Sequence, residues 1–155
     1  MSGERTDEKG HDVLPDGLRG SERDTWRGFL RVARLMDDRL SALLADEPVS
    51  TGEFGVLIGL AELGDTVRMT ELAGHVLMSP SHLSHRAARL EGKGLLRRSK
   101  SGQDGRETYA ELTAEGRAML DRLLPAYAER IRADFLRHLT AAERRQLTGW
   151  MQRID

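Results

Sequence analysis

The chain has 155 residues, 39% of them hydrophobic, and a net charge of −1, which is typical of one small globular domain. It contains no cysteine, so disulfides, thiolate metal sites and thiol-based redox sensing are excluded. Because no run of about 18 apolar residues occurs and the N-terminus lacks the apolar segment of a signal peptide, we expect a cytoplasmic protein.

The first 20 residues are rich in Gly, Asp and Glu and poor in apolar residues, which predicts a flexible acidic tail. A helix is predicted from Ser21, where Ser21 and Asp24 approximate a capping box, to about Ala45. Its apolar residues recur at spacings of three and four, as in an amphipathic helix. They are Trp26, Phe29, Leu30, Ala33, Met36, Leu40, Leu43 and Leu44.

Two further helices are predicted before residue 78. Ser50 and Glu53 form a capping box for a helix that ends at about Leu63. Thr70 is the predicted cap of a short helix that ends at about Leu77. Together they predict two helices that precede a polar helix.

That polar helix is predicted from Ser79, a good N-cap followed by Pro80 at the first helical position, to Glu91. Its apolar stripe, which predicts the buried face, is Leu83, Ala87 and Leu90. The other faces carry short hydrogen-bonding groups and cations. These are Ser81, His82, Ser84, His85, Arg86 and Arg89.

Residues 95–99 and 108–112 are predicted strands, and the glycines between them favour a hairpin turn. Residues 79–106 hold seven Lys or Arg against two acids, a net charge of +5 in a chain of −1. Such a concentration of positive charge indicates a nucleic-acid partner.

The C-terminal part is predicted to be helical. Thr113 begins a long helix whose apolar residues extend to Leu139, and Pro125 inside it predicts a kink or a break. Thr140 and Glu143 form a capping box for a last helix whose apolar residues extend to Ile154. Both termini therefore carry amphipathic helices.

This order of elements resembles the MarR (multiple-antibiotic-resistance regulator) family of transcription factors over about residues 22–154. The matching segments are 69–73, 81–86, 90–95, 104–106 and 109–116, including the Asp-x-Arg wing and the following Leu-Thr-x-x-Gly. The resemblance implies a mainly α fold with a small β-hairpin wing, a winged helix-turn-helix flanked by N- and C-terminal dimerisation helices. It divides the chain into an acidic tail (1–20), an N-terminal dimerisation helix (21–49), a DNA-binding lobe (50–113) and C-terminal dimerisation helices (114–155). The tail departs from the family pattern.

The candidate DNA-binding residues lie on the polar helix and in the hairpin. On the helix they are Ser79, Ser81, His82, Ser84, His85, Arg86 and Arg89, of which Ser81, His82, Ser84, His85 and Arg86 could reach base edges in the major groove. In the hairpin, Arg97, Arg98 and Lys100 are predicted phosphate contacts, and Asp104 is predicted to hold Arg106 in the minor groove.

Simpler interpretations of these residues stay open. The helix could present only a solvated face, and Asp104 with Arg106 could be a surface ion pair worth under about 1 kcal/mol. His82 and His85 have a spacing that can hold a metal, but no third ligand lies nearby in the sequence, so we expect none.

The terminal helices carry more large apolar residues than a small helix-turn-helix core can cover, which predicts a homodimer, although an intramolecular core could account for some of them. In the family, small aromatic or anionic ligands bind between the dimerisation helices and the DNA-binding lobe. Candidate ligand-binding residues by that resemblance are Trp26, Arg27, Phe29, Leu30, Arg34 and Phe54, each of which could instead belong to a core or interface.

The motifs and the charge pattern also predict the function. The sequence lacks the glycine-rich nucleotide loops, the Gly-x-Ser-x-Gly elbow and the His-Glu-x-x-His pair, so we expect neither an enzyme nor a cofactor. We predict a DNA-binding transcriptional regulator, a repressor acting on a pseudo-palindromic operator in double-stranded DNA and modulated by a small ligand. The alternative is a winged-helix module that binds another protein, which would leave the basic segment unexplained.

Overall fold

The computed structural model describes residues 17–64, 66–101 and 107–154. The α-helices in that part of the chain are α1 (Ser21–Leu43), α2 (Thr51–Leu63), α3 (Met69–His75), α4 (Pro80–Gly92), α5 (Ala114–Asp134) and α6 (Ala141–Met151). The strands there are β1 (Val67–Arg68), β2 (Leu96–Ser101) and β3 (Glu107–Leu112). A short 3-10 helix, Leu136–His138, separates α5 from α6. None of the described helices is long and apolar enough to cross a membrane.

The chain divides into two compact units within α1, between Arg34 and Leu35. In the first unit, α1 begins at Ser21 as predicted, but Ser21 is the first residue of the helix and not its cap. The N–H of Asp24 donates to the carbonyl of Gly20 at 3.2 Å. This division of the backbone does not test the functional division drawn from the sequence, which stays a prediction.

The second unit is mainly helical with a small antiparallel sheet, which confirms the predicted fold class. Strand order is β1-β3-β2, with Val67 opposite Ala110 and Leu96 opposite Leu112. The hairpin of β2 and β3 was predicted. Strand β1 was missed because two residues are too few to show a period-two pattern.

The core of this unit forms between the helices and one face of the sheet. The predicted stripe of α4, Leu83, Ala87 and Leu90, is fully buried. It packs in a cluster with side chains from the neighbouring elements. These include Phe54, Leu57, Leu60, Leu72, Leu96, Ala110 and Leu120. Since the stripe faces inward, the polar residues of α4 are left on its outer side.

Helix caps confirm much of the sequence prediction. The Ser50–Glu53 and Thr140–Glu143 capping boxes are both formed, and Ser79 accepts a hydrogen bond from the N–H of His82. The predicted cap at Thr70 is wrong. Helix α3 begins at Met69, two residues earlier than predicted, because the pairing of β1 with β3 holds Arg68 extended immediately before the helix.

Two predicted helix ends also differ. Helix α3 stops at His75, and Leu77 adopts a left-handed backbone with φ of +53° in the turn before α4. Helix α5 continues through Pro125, so the predicted break is wrong and the kink stays a prediction. The helix ends at Asp134. Pro125 is exposed, so the missing N–H costs one backbone hydrogen bond on the solvent side, where water can satisfy the carbonyl.

Candidate nucleic-acid interface

The first two turns of α4 present a row of exposed hydrogen-bonding side chains. The residues exposed there are Ser79, Ser81, His82, Ser84 and His85. Helix α4 is fixed from behind by its buried apolar stripe, so these side chains cannot turn inward without breaking the core. The structure therefore brings five of the predicted DNA-binding residues together on one outward surface.

Arg86 lies differently from those five residues. It is half-buried, and a methyl group added at Gly52 would overlap its guanidinium. The guanidinium thus lies against the backbone of the first turn of α2, and Gly52 leaves the room for it. This contact joins the middle of α4 to the start of α2.

Glu53, also in the first turn of α2, binds two cations, Arg89 in the last turn of α4 and Lys93 at its C-cap. Its side chain is only 1% exposed. Oε2 accepts hydrogen bonds from the N–H of Ser50 and from Nζ of Lys93, both at 2.9 Å. Nε of Arg89 lies 2.8 Å from Oε1 as an ion pair, without the alignment of a hydrogen bond.

The environment of Glu53 keeps its carboxylate charged. Burial is the largest single influence and raises the pKa of this carboxyl. The hydrogen bonds from Lys93 and from the Ser50 N–H, with the charges of Lys93 and Arg89, together outweigh burial and hold the pKa below its ordinary value of 4.5. Glu53 is therefore a buried anion paired with two cations.

A cavity of about 650 Å³ opens between the start of α2 and the outer side of α4. It is lined by Asp37, Ser50, Thr51, Gly52, Glu53, His82, His85, Arg86 and Arg89. Three of these residues, His82, His85 and Arg86, belong to the predicted base-reading surface. The cavity is thus adjacent to the surface that would face DNA.

The basic residues of the hairpin contact acidic side chains. Arg97 pairs with Glu111, directly opposite on β3. The N–H and the guanidinium of Arg98 both bond to Glu91 of α4, with contacts of 2.7–2.9 Å. These bonds, led by the one from the N–H of Arg98, hold the pKa of Glu91 below its ordinary range. Lys100 is exposed, and the predicted Asp104–Arg106 pair lies outside the described residues.

A polar cluster that the sequence did not predict lies where β1 meets the wing. Nε of Arg68 donates to the hydroxyl of Tyr109 at 2.9 Å, and that hydroxyl donates to Glu107 at 2.9 Å. Arg68 also pairs with Glu107 at 3.2 Å. Residues some 40 positions apart meet here, so no local pattern could have revealed the cluster.

The candidate ligand-binding residues fall in both units. In the first unit, the rings of Trp26 and Phe29 stack at 5.7 Å, and both side chains are exposed, as is Leu30. Arg27 and Arg34 are on the same helix. In the second unit, Phe54 is fully buried, with its ring 5.1 Å from that of Tyr127. It is therefore a core residue, which is one of the two alternatives for this position.

Comparison with known proteins identifies the family. The sequence matches the MarR family over residues 49–108. The structure superposes with a TM-score of 0.83 on Sco3205, a MarR-family transcriptional regulator from Streptomyces coelicolor solved in complex with DNA. The two share 33% sequence identity over 92% of this chain and 91% of that one. The chain belongs to the MarR family.

Two curated relatives agree with that assignment. The transcriptional regulator PecS of Dickeya dadantii is 28% identical over 81% of this chain and 76% of its own length. The transcriptional repressor Rv2887 of Mycobacterium tuberculosis is 28% identical over 87% of this chain and 97% of its own length. This MarR-family protein is therefore a transcriptional regulator with a winged helix, and the resemblance inferred from the sequence is confirmed. Among the described residues, no three His, Asp or Glu side chains converge to hold a metal ion.

Proposed function

We propose that this MarR-family protein is a cytoplasmic repressor that binds a pseudo-palindromic operator as a homodimer and is released by a small aromatic or anionic ligand. One observation carries the DNA-binding part. Helix α4 presents five exposed hydrogen-bonding side chains from its first two turns, while its buried stripe fixes it to the core. That geometry suits a recognition helix whose N-terminal half enters the major groove.

Base reading would fall to the Ser and His side chains of α4. Hydroxyl and imidazole groups can both donate to and accept from base edges, and Arg86 could pair with guanine O6 and N7 if its guanidinium left Gly52. Ser79, at the N-terminus of the helix, is placed for a phosphate. We assign sequence specificity to this helix.

The wing would supply affinity with little sequence preference. Lys100 is exposed for a phosphate contact, and Arg97 and Arg98 would exchange a carboxylate for a phosphate on binding. Asp104 would orient Arg106 in the minor groove, where a narrow A·T-rich groove attracts guanidinium. Repression would follow from occupation of a promoter, as the relationship to the repressor Rv2887 supports.

The ligand would act next to the recognition helix. The cavity of about 650 Å³ has a size suited to a small molecule, and Arg86 offers its wall a cation for a carboxylate. Trp26, Arg27, Phe29, Leu30 and Arg34 of the first unit stay candidate ligand-binding residues by the resemblance to the family. A ligand that binds Arg86 would compete with the operator for that side chain.

The test of the DNA-binding proposal begins with selection of bound fragments from genomic DNA. His85→Ala should weaken binding to the selected operator by about 1–3 kcal/mol, because one base contact is lost. The matched control is His138→Ala, which removes an exposed imidazole from the 3-10 helix. Electrophoretic shifts across a salt series measure both. If the two variants bind the operator equally well, this placement of α4 is wrong.

The ligand proposal has its own measurement. A phenolic acid such as 4-hydroxybenzoate at millimolar concentration should weaken operator binding. A tenfold loss needs a preference of about 1.4 kcal/mol for the conformation that does not bind DNA. Dilute peroxide should leave binding unchanged, because the chain has no cysteine. Release by peroxide that a thiol reductant reverses would contradict a reversible ligand as the signal.

A further inference from the structure

The buried carboxylate of Glu53 contacts two cations of the recognition helix that lie four residues apart. Arg89 and Lys93 sit one turn apart on the same side of the helix, and both reach the same side chain of α2. Rotation of α4 about its axis would move both cations away from Glu53 together. The carboxylate therefore fixes the rotation of the helix as well as its distance from α2.

We propose that Glu53 is a positioning residue for operator recognition, which aims the base-reading face of α4 and keeps Arg89 and Lys93 away from DNA phosphates. This inference rests on the proposed function of α4 as the recognition helix. Glu53 would influence specificity without touching DNA, because it lies on α2 and not on the recognition helix.

The degree of burial supports this role over an ordinary surface ion pair. The Glu53 side chain is 1% exposed, whereas Arg89 is 68% exposed and could move to another anion. An unpaired buried carboxylate would destabilise the protein, which favours the conformation in which Arg89 and Lys93 stay paired with Glu53. Glu53 is also anchored at its own end, because Oε2 accepts from the N–H of Ser50 in the capping box.

Without Glu53, Arg89 and Lys93 could bind DNA phosphates, and this would lower specificity. A Lys or Arg on a phosphate adds affinity for any sequence and steepens the salt dependence, whereas base contacts discriminate. Holding Arg89 and Lys93 on Glu53 removes up to two such contacts. The ratio of operator binding to random-DNA binding is therefore higher with the carboxylate than without it.

The experiment uses Glu53→Gln, since glutamine can still close a capping box but carries no charge. Its matched control is Glu143→Gln, the equivalent position in the capping box of α6, where the carboxylate bonds to Thr140. Circular dichroism and thermal unfolding establish that each variant is folded. Shifts with the selected operator and with random duplex DNA are then measured across a salt series.

We expect Glu53→Gln to lower the operator-to-random affinity ratio about tenfold and to steepen the salt slope on random DNA by about one to two units. Glu143→Gln should change neither quantity. Adding Arg89→Gln and Lys93→Gln to Glu53→Gln should restore the wild-type slope. An unchanged ratio and slope in folded Glu53→Gln, or an equal loss on both DNAs with no change of slope, would overturn the proposal.

A second variant covers the case in which Glu53→Gln does not fold. Lys93→Gln leaves Glu53 paired with Arg89, and it should reduce operator preference while leaving the salt slope on random DNA unchanged. A slope lowered by about one unit would make Lys93 a phosphate contact and would refute the inference. Failure of the wild-type protein to distinguish operator from random DNA would instead refute the proposed function, and this inference with it.

Discussion

Gly116 shows how a single residue can be required by a close backbone contact. It lies in the first turn of α5, where its N–H donates to Oγ1 of Thr113 at 3.0 Å. A methyl group here would overlap the carbonyl oxygen of Leu95, which precedes β2. The Leu-Thr-x-x-Gly segment that resembled the family in sequence thus has a physical reason for its glycine.

Gly116→Ala should destabilise the fold by about 1–3 kcal/mol, because the obstructing atom belongs to the backbone and cannot move aside as a flexible side chain would. Urea unfolding measures the change. The control is Gly149→Ala in α6, where the added methyl group meets open space and alanine should gain up to about 1 kcal/mol. Equal stabilities for the two variants would mean that Leu95 and α5 do not approach as described.

At the scale of elements, hydrogen bonds between Glu91 and Arg98 connect α4, the proposed recognition helix, to β2 of the wing. Glu91 of α4 accepts from the N–H and from the guanidinium of Arg98. Its pKa is lower in the folded protein than the ordinary value of 4.5. The carboxylate therefore contributes stability that is present above about pH 4.5 and is lost as the pH falls through the lowered pKa.

Glu91→Gln should accordingly be less stable than wild type at pH 7, and the difference should shrink as the pH is lowered from 5 to 3. Glutamine keeps an acceptor for the N–H of Arg98 but does not titrate. Glu129→Gln is the control, because Glu129 pairs with Arg132 only weakly, at 3.5 Å and one turn along the same helix. A difference for Glu91→Gln that is constant with pH would contradict the linkage.

The contrast between predicted and observed elements has a physical basis. Helix starts at Ser50, Ser79 and Thr140 could be predicted because a cap and its N–H lie within three residues of each other. The exposed face of α4 followed from its apolar stripe. Strand β1 and the contacts of Glu53 with Lys93 depend on residues about 40 positions apart, which no local pattern encodes.

The net charge of the candidate site also depends on contacts between residues that are far apart in the sequence. Residues 79–106 carry a net charge of +5 in sequence, but Arg89 and Lys93 contact Glu53, and Arg97 contacts Glu111. Two of the neutralising acids come from outside the segment. A count along the sequence therefore overstates the unpaired positive charge on α4 and the wing.

For the whole molecule, most of the exposed large apolar side chains lie towards the two ends of the described chain, with Leu77 as an exception. In the second unit, α6 has no buried residue, and Trp150 and Met151 are 54% and 50% exposed. In the first unit, Trp26, Phe29 and Leu30 are also exposed. Apolar surface of this kind is typical of an interface between subunits, which favours the proposed homodimer.

A charge introduced into α6 tests that dimer without disturbing the core. Trp150→Glu should weaken self-association, because a desolvated carboxylate would face an apolar partner, while leaving the helical content of the monomer intact. Sedimentation across a range of protein concentrations measures the dissociation. The control is Thr148→Glu, which adds the same charge at an exposed position on the opposite side of the helix.

Operator binding should weaken together with association, since two recognition helices spaced by about 34–36 Å contact two half-sites only when the subunits are joined. A single lobe would retain the weaker, sequence-independent affinity of its own cations. Trp150→Glu should therefore lose operator binding far more than random-DNA binding at concentrations where it is monomeric. A Trp150→Glu protein that stays dimeric would place the interface elsewhere, and a monomer that binds the operator as tightly as wild type would refute the need for a dimer.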